Sequence, residues 1–207
     1  DDINAVMGQE TGYATFNPLG SRGSLSEGNL RWTTTAGEDN YGALITPGFS
    51  SGKYYVEFEV LNVGTSTMVG VTQDAAASAF GAASAWPGYT TGYGIGFAFQ
   101  GDQQYYGGSN NGSIPGNVFD SAAVVGDIVM LACDADQKIA AIGKNGIWSA
   151  GTLAASFLDI DNVAMEPPFY FATGDSSASH ACDLRFNSGQ KPFKYAPPEG
   201  FQPLNYA

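Results

Sequence analysis

The sequence predicts an all-β fold, a β-sandwich, and three observations predict it. Charged residues make up only 14% of the 207-residue chain, while Gly contributes 28 residues, Phe 13 and Tyr 11. Such a mixture suits short strands joined by tight turns, because helices favour the residue types that are scarce here. Apolar residues also alternate with polar or tiny ones at period 2, the mark of strands with two unlike faces. Finally, turn signals containing Gly, Asn and Pro separate these segments, and none shows helical periodicity beyond a turn or two. A chain of this length accommodates one well-buried core in a single domain.

Residues 1–12 are polar, lack periodicity and carry Gly8 and Gly12, so they read as an extended N-terminal arm or linker, with residues 13–207 forming the sandwich. In 29–35, Leu30 and Trp32 share one side and Arg31 takes the other. Residues 42–46 form a short apolar strand stopped by Pro47-Gly48. Ser51-Gly52 then leads into 53–61, the clearest strand. There Tyr54, Val56, Phe58 and Val60 share a face expected to pack, while Tyr55, Glu57 and Glu59 share one expected to meet water. Residues 67–73 supply the next strand. Residues 74–90 are rich in Ala, Ser and Gly around Trp86-Pro87-Gly88 and read as a long loop with a short helical turn.

Tyr93, Ile95, Phe97 and Phe99 alternate with Gly94, Gly96 and Ala98. One aromatic face therefore belongs in the core, and something approaches the other face closely. Residues 102–108 read as a strand and Ser109-Asn110-Asn111-Gly112 as a turn. Strands at 128–133 and 138–143 are joined by Asp134-Ala135-Asp136-Gln137, and Lys144-Asn145-Gly146 turns the chain again. Residues 149–166 read as irregular. Strands at 169–173 and 180–187 follow, and the Pro- and aromatic-rich tail 190–206 is expected to lie extended over the sandwich.

A net charge of −12 argues against nucleic acid, which needs Lys and Arg to neutralise phosphates, and against anionic membrane surfaces. No apolar run is long enough to cross a bilayer, and the N-terminus lacks the basic-then-apolar shape of a signal peptide. The start at Asp1-Asp2 suits a processed product or a piece of a longer protein. Cys133 and Cys182 each lie in apolar, strand-like stretches. They read as buried free thiols, with a single bridge between neighbouring strands as the alternative.

Several motifs together resemble the SPRY family. Ser51 to Val60, Ser-Gly-Lys-Tyr-Tyr-Val-Glu-Phe-Glu-Val, is similar to its opening strand motif, and Val69-Gly70-Val71 to its Val-Gly-Val strand. Gly126-Asp127-Ile128 through Asp134 resembles a later strand, and Lys144-Asn145-Gly146 stands at its Asn-Gly turn. Thr15 to Leu19 and Leu25 to Leu30 are similar to the opening segment of SPRY-like domains in bacteriophage structural proteins. The close, Phe186-Asn187-Ser188-Gly189-Gln190-Lys191-Pro192-Phe193 with Pro197-Pro198-Glu199-Gly200-Phe201, resembles that of the same phage group. The resemblance spans roughly residues 13–206 and implies a bent, jelly-roll-like, two-sheet antiparallel β-sandwich with a binding surface built from loops at one edge. Ala140-Ala141-Ile142 departs from it, standing where an aromatic or large apolar residue is usual. That strand is therefore expected to pack against something different, the insert at 74–90.

Candidate chemistry is thin. Glu57 and Glu59 share a strand face, and retaining glycosidases need two carboxyl groups about 5–5.5 Å apart. Two glutamates alternating with core residues are more simply the wet side of a strand. His180 is the only histidine, with no Gly-x-Ser-x-Gly elbow and too few His or Cys nearby for zinc. Asp134 with Asp136, and Asp159 with Asp161, offer oxygens to calcium, but Asp is also favoured in turns for local backbone bonding. Gly92-Tyr93-Gly94-Ile95-Gly96 reads as strand, with no following helix to hold a phosphate. Trp86, Tyr89, Tyr105, Tyr106 and Trp148 lie among Gly, Asn and Ser. Trp86, Tyr89 and Tyr106 are the expected ligand-binding surface aromatics.

These readings converge on a non-enzymatic protein with no catalytic residues, metal or cofactor. The phage resemblance implies a virion location as a head or tail fibre component or capsid decoration. The expected partners are other virion proteins through the arm, a host-surface glycan or protein, and possible further copies of the chain, with neither nucleic acid nor membrane. A purely structural cement protein, or a carbohydrate- or peptide-binding module outside a virion, is the alternative.

Overall fold

The computed structural model describes residues 12–38, 40–64, 66–73, 80, 86–88, 94–100, 103–106, 109–116, 122–160, 165–176 and 180–205. Of the segment read as an arm, only Gly12 is among them. In chain order the strands are β1 (Thr15–Ser21), β2 (Ser24–Ser26), β3 (Arg31–Thr33), β4 (Tyr41–Thr46), β5 (Lys53–Asn62), β6 (Thr67–Gln73), β7 (Gly94–Ala98) and β8 (Gln103–Tyr106). There follow β9 (Ser109–Ser113), β10 (Ile128–Asp134), β11 (Ile139–Lys144), β12 (Ile147–Trp148), a helical turn α1 (Leu153–Ser156), β13 (Leu158–Asp159), β14 (Phe169–Asp175), β15 (Asp183–Asn187) and β16 (Gln202–Pro203).

These strands form two sheets, making the all-β sandwich that composition and alternation predict. The first sheet has the order β1-β4-β14-β6-β7-β8-β9. The second runs β12-β11-β10-β5-β15-β3-β2, with β13 beside β11 and β16 beside β5. Pairing is antiparallel except for the parallel β16 on β5.

The core lies between the sheets and follows the period-2 pattern. Val56, Phe58 and Val60 of β5 join Val129 and Leu131 of β10 and Leu184 and Phe186 of β15. Val69, Val71, Ile95, Phe97, Phe169 and Phe171 of the first sheet belong to the same core. Phe186 lies 5.5 Å from Phe58 and 5.6 Å from Phe16, ring centre to ring centre. Each such side chain taken out of water stabilises the fold by about 2 kcal/mol. Cys133 and Cys182 are buried in this core and unbonded, and burial pushes both thiols well above their ordinary pKa. They serve as small apolar fillers.

The turn between β11 and β12 is the Asn-Gly reversal read from the sequence, with Asn145 at φ 52° and Gly146 at φ 84°. Both lie in the left-handed region that a two-residue hairpin turn requires. Elsewhere the structure departs from expectation. Ser109 to Gly112 is not a turn but part of β9, with Tyr106 paired to Ser109 and Tyr105 to Asn110. Ladder pairing at the sheet edge overrides the turn preference of Asn and Gly there. Residues 149–166 are not uniformly irregular, since they include α1 and β13. The hydroxyl of Thr152 caps α1, accepting from the backbone N–H of Ala155 at 3.3 Å. It is α1 that lies against β11. The described residues of the 74–90 insert pack instead on the first sheet, so the small side chains of Ala140 and Ala141 do not mark the insert's seat.

Candidate functional site

Both outer faces of the sandwich are partly covered, and what remains open defines the candidate site. On the first sheet, Gly96 of β7 pairs with Gly70 of β6, and Gly70 with Ala172 of β14, giving a row of tiny residues across three strands. Trp86 and Pro87 lie along this trough. A Cβ at Gly174 would collide with Cβ of Trp86, and one at Gly96 with the carbonyl oxygen of Pro87. One at Gly70 would come within 2.8 Å of Cβ of Pro87. Phe80 covers the neighbouring Leu44 and Ala172. The close approach predicted from the alternation at 93–99 is therefore made by Trp86-Pro87-Gly88.

Trp86 is thereby corrected from surface ligand binder to anchor. Its side chain is 8% exposed, its indole N–H donates to Oδ1 of Asn40 at 2.9 Å, and its ring meets Tyr105 edge-on at 5.5 Å. Gly and Ser neighbours in the sequence marked it as exposed, but it settles on the first sheet where Gly174 carries no side chain. Tyr89 lies outside the described residues. Tyr106 is placed by its backbone alone, in β8 between Ile95 and Ser109.

On the second sheet, Tyr55, Met130 and Ala132 face outward yet are buried beneath Trp148, Leu153, Phe193, Tyr195 and Phe201. The tail from Gln190 onward crosses this face, as expected from its Pro and aromatic content, and closes with β16 on β5. Glu57 holds this strap. Its Oε1 accepts from the hydroxyl of Tyr55 at 2.9 Å and the backbone N–H of Tyr195 at 2.8 Å. Its Oε2 accepts from the backbone N–H of Lys194 at 2.9 Å. Burial, and then the adjacent Glu57 carboxylate, push the Tyr55 phenol far above its ordinary pKa. The wet face expected for β5 is thus dry at Glu57, which is 3% exposed. Period-2 alternation separates two faces but does not say whether a distant segment covers the outer one.

Beyond the strap the face opens into a pocket of about 300 Å³, lined by Glu59, Ile128, Arg185, Lys191 and Lys194 among others. Arg185 donates through Nη1 to Glu59 at 2.6 Å and through Nε to Glu27 at 2.7 Å. Glu27 also receives Arg31 at 3.4 Å, and Arg31 in turn grips Asp183 with Nε at 2.9 Å and Nη2 at 2.5 Å. The hydrogen bond from Arg185 is the main cause that holds the Glu27 carboxyl below its ordinary pKa. This ladder sets two guanidinium groups against three carboxylates, so both arginines are fully committed within it. Among the described residues, the ammonium groups of Lys191 and Lys194 have no carboxylate partner. Gly126, also at the pocket, belongs to a turn whose Val124 and Val125 are 59% and 65% exposed. Asp127 braces that turn, accepting from the backbone N–H of Val124 at 2.9 Å and from Nδ2 of Asn145 at 2.7 Å.

The remaining sequence candidates are dispersed. Glu57 is saturated by donors and Glu59 is bound to Arg185, so the pair does not stand ready as acid and nucleophile. Oδ1 of Asp134 accepts the backbone N–H groups of Asp136 and Gln137, both at 3.1 Å, and Oδ2 meets Nζ of Lys53 at 3.0 Å, the local role of a turn Asp. Asp159 is exposed in β13, and Asp161 lies outside the described residues. His180 is exposed just ahead of β15. Among the described residues no three His, Cys, Asp or Glu side chains cluster as metal ligands.

No protein-family model matches the sequence, and no curated protein sequence does. Solved structures do match. The crystal structure of the SPRY domain of human HERC1 superposes with a TM-score of 0.57 at 16% identity, covering 85% of this chain and 99% of that one. The crystal structure of the TRIM65 PSpry domain gives 0.58 at 13% identity, covering 84% and 90%. The chain has the SPRY fold. On this SPRY sandwich the motifs that carried the resemblance occupy structural posts: Ser51 to Val60 runs into β5, Val69-Gly70-Val71 sits in β6, and Gly126 to Asp134 leads through β10. The closing motif forms the strap. The strap's dependence on Glu57, and the ladder joining Glu27 to Arg185 across 158 positions, were not read from the sequence. A hint for the first was available: a tail with Phe193, Tyr195 and Phe201 needs an apolar face to lie on.

Proposed function

We propose that this chain is a non-enzymatic virion structural protein whose SPRY-fold sandwich faces outward, as a head or tail fibre component or capsid decoration, and serves host-surface attachment. Binding is favoured over catalysis by one observation: the pair of carboxylates nearest an open pocket, Glu57 and Glu59, is occupied by the strap and by Arg185. Acid–base chemistry needs such groups free to exchange protons with a substrate. The virion reading is supported by the resemblance of the closing motif to phage structural proteins. In that setting residues 1–12 join the module to other virion proteins. Tyr89, which follows directly on the anchored Trp86-Pro87-Gly88, and Tyr106 contact a host glycan or protein. The net charge of −12 discourages association with nucleic acid.

The test is cryo-electron microscopy of purified particles from the source, with the chain located in the density. Density at a fibre tip or other distal projection is the expected result. Absence of the chain from particles overturns the virion reading. A second reading, a cement protein without a ligand, is favoured by the exposed Val124 and Val125, which suit burial against a neighbour. Density lying flat between capsid subunits would select it. Removal of residues 1–12 is expected to leave a folded sandwich that no longer incorporates into particles; full incorporation would overturn the attachment role of the arm.

A further inference from the structure

The chain carries only eight Lys and Arg against twenty Asp and Glu, yet three of the eight, Arg185, Lys191 and Lys194, line one pocket. Their partnering is unequal. Arg185 is committed to Glu27 and Glu59 within the ladder, and Glu57 is committed to the strap backbone. Lys53 and Lys138 elsewhere pair with Asp134 and Glu166 at 3.0 and 2.9 Å. Only Lys191 and Lys194 bring to the pocket ammonium groups without a carboxylate among the described residues. Both sit on the strap, whose backbone at Lys194 is fixed by Glu57 and at Lys191 by Oδ1 of Asn187 at 3.4 Å. Their Cα positions are therefore held, while the ammonium groups extend from exposed residues. Beside them the braced turn carries the exposed Val124 and Val125, next to the pocket-lining Gly126.

From this arrangement we infer that the pocket between the strap and the Glu59–Arg185 pair is a docking site for an acidic, apolar peptide segment of a partner protein: an Asp or Glu side chain seats against Lys191 and Lys194, and flanking apolar side chains lie on Val124 and Val125. Charge complementarity selects this occupant. An opposite charge on the partner favours encounter with the two lysine ammonium groups, which have no carboxylate partner among the described residues, and the valines supply apolar area that a free small anion cannot use. The inference rests on the reading of the chain as a binding module and names what that module takes.

The experiment pans a random linear dodecapeptide display library against the intact chain and, in parallel, against the double variant K191E/K194E. Both lysines are exposed, so the variant is expected to melt at the wild-type temperature. The expected outcome is that peptides selected by the wild type carry Asp or Glu beside apolar residues. A synthetic copy should then bind K191E/K194E about tenfold more weakly, and bind the wild type more weakly as salt rises. V124S/V125S should weaken the same peptide while leaving its salt dependence intact. Selected peptides that bind wild type and K191E/K194E equally overturn this site while leaving a binding module with another surface. Peptides whose binding is fully competed by millimolar acetate reduce the site to an anion pocket and overturn the apolar contact. Failure to select any peptide overturns the site and counts against the module reading as well.

Discussion

On the first sheet the outer cover lies backbone to backbone: Trp86 and Pro87 settle onto Gly70, Gly96 and Gly174 because those positions carry no side chain. On the second sheet the cover is a strap whose N–H groups converge on one carboxylate, Glu57, and whose aromatic rings lie over Tyr55. The first solution is steric. It leaves no slack for an added atom and asks little of charge. The second is electrostatic. It leaves room at its edge, where the pocket opens, but depends on the acceptor oxygens of one buried side chain. Among the described residues, the first cover is seated tightly where it touches the sheet, and the second leaves an opening at its edge where the charged pocket lies.

The largest test of that contrast is Gly174→Val. Its side chain would enter the space of Cβ of Trp86 and Cδ of Pro87, the latter 3.0 Å from an added Cβ. Overpacking of this kind costs about 3 kcal/mol, read as a lower urea midpoint for the whole domain. A loss below about 0.5 kcal/mol would show that the cover lifts freely, and that the steric account is wrong. Next comes Glu57→Gln, which keeps the shape and removes the charge. A Gln amide nitrogen must then face an N–H group it cannot accept from, at a cost of about 2 kcal/mol. The distinguishing readout is hydrogen exchange: Lys194 and Tyr195 should exchange faster while β7 and β14 keep wild-type protection. Uniform acceleration across both sheets would mean that the strap is not a separate unit. A smaller effect follows from Trp86→Phe, which loses the bond to Asn40 at 2.9 Å but keeps most of the ring volume. About 1 kcal/mol is expected from equilibrium unfolding. A loss as large as that of Gly174→Val would make the polar bond, not close packing, the basis of the first cover.

How much of this was legible in the sequence depends on the range of the interaction. The strand at β5, the Asn145-Gly146 turn and the close approach at Gly94 and Gly96 were readable, because period and turn chemistry act over a few residues. The burial of Glu57 was not, since it comes from Lys194 and Tyr195, more than 130 positions away. Trp86 was misplaced for a related reason: Gly and Ser around an aromatic suit an exposed loop and a tightly seated anchor equally well. Ser109 to Gly112 shows local preference losing to pairing with β8. The pocket was half legible. The tail lysines stand in the quoted closing motif, but their lack of carboxylate partners depends on where Glu27, Glu57 and Glu59 are already committed.

The ladder beside the pocket carries the last and smallest prediction, and it separates the two faces by pH. Arg185, hydrogen-bonded to Glu27 and joined by Arg31, holds the Glu27 carboxyl below its ordinary pKa in the folded chain. A carboxyl with a depressed folded pKa binds fewer protons folded than unfolded. Its contribution to stability is therefore present in full above the ordinary carboxylate pKa and is lost as pH falls from there through the lowered value. Wild-type stability should accordingly fall across that acidic window, and Glu27→Gln should flatten the fall while lowering stability at neutral pH. Denaturant midpoints measured from neutral to acidic pH test it. Parallel wild-type and variant curves would mean that the ladder, half-exposed as it is, contributes nothing net, as many surface ion pairs do. Trp86→Phe supplies the control, because the first sheet's cover contains no titrating contact at that bond. Its curve should run parallel to wild type throughout, so that only the second face responds to protons at Glu27.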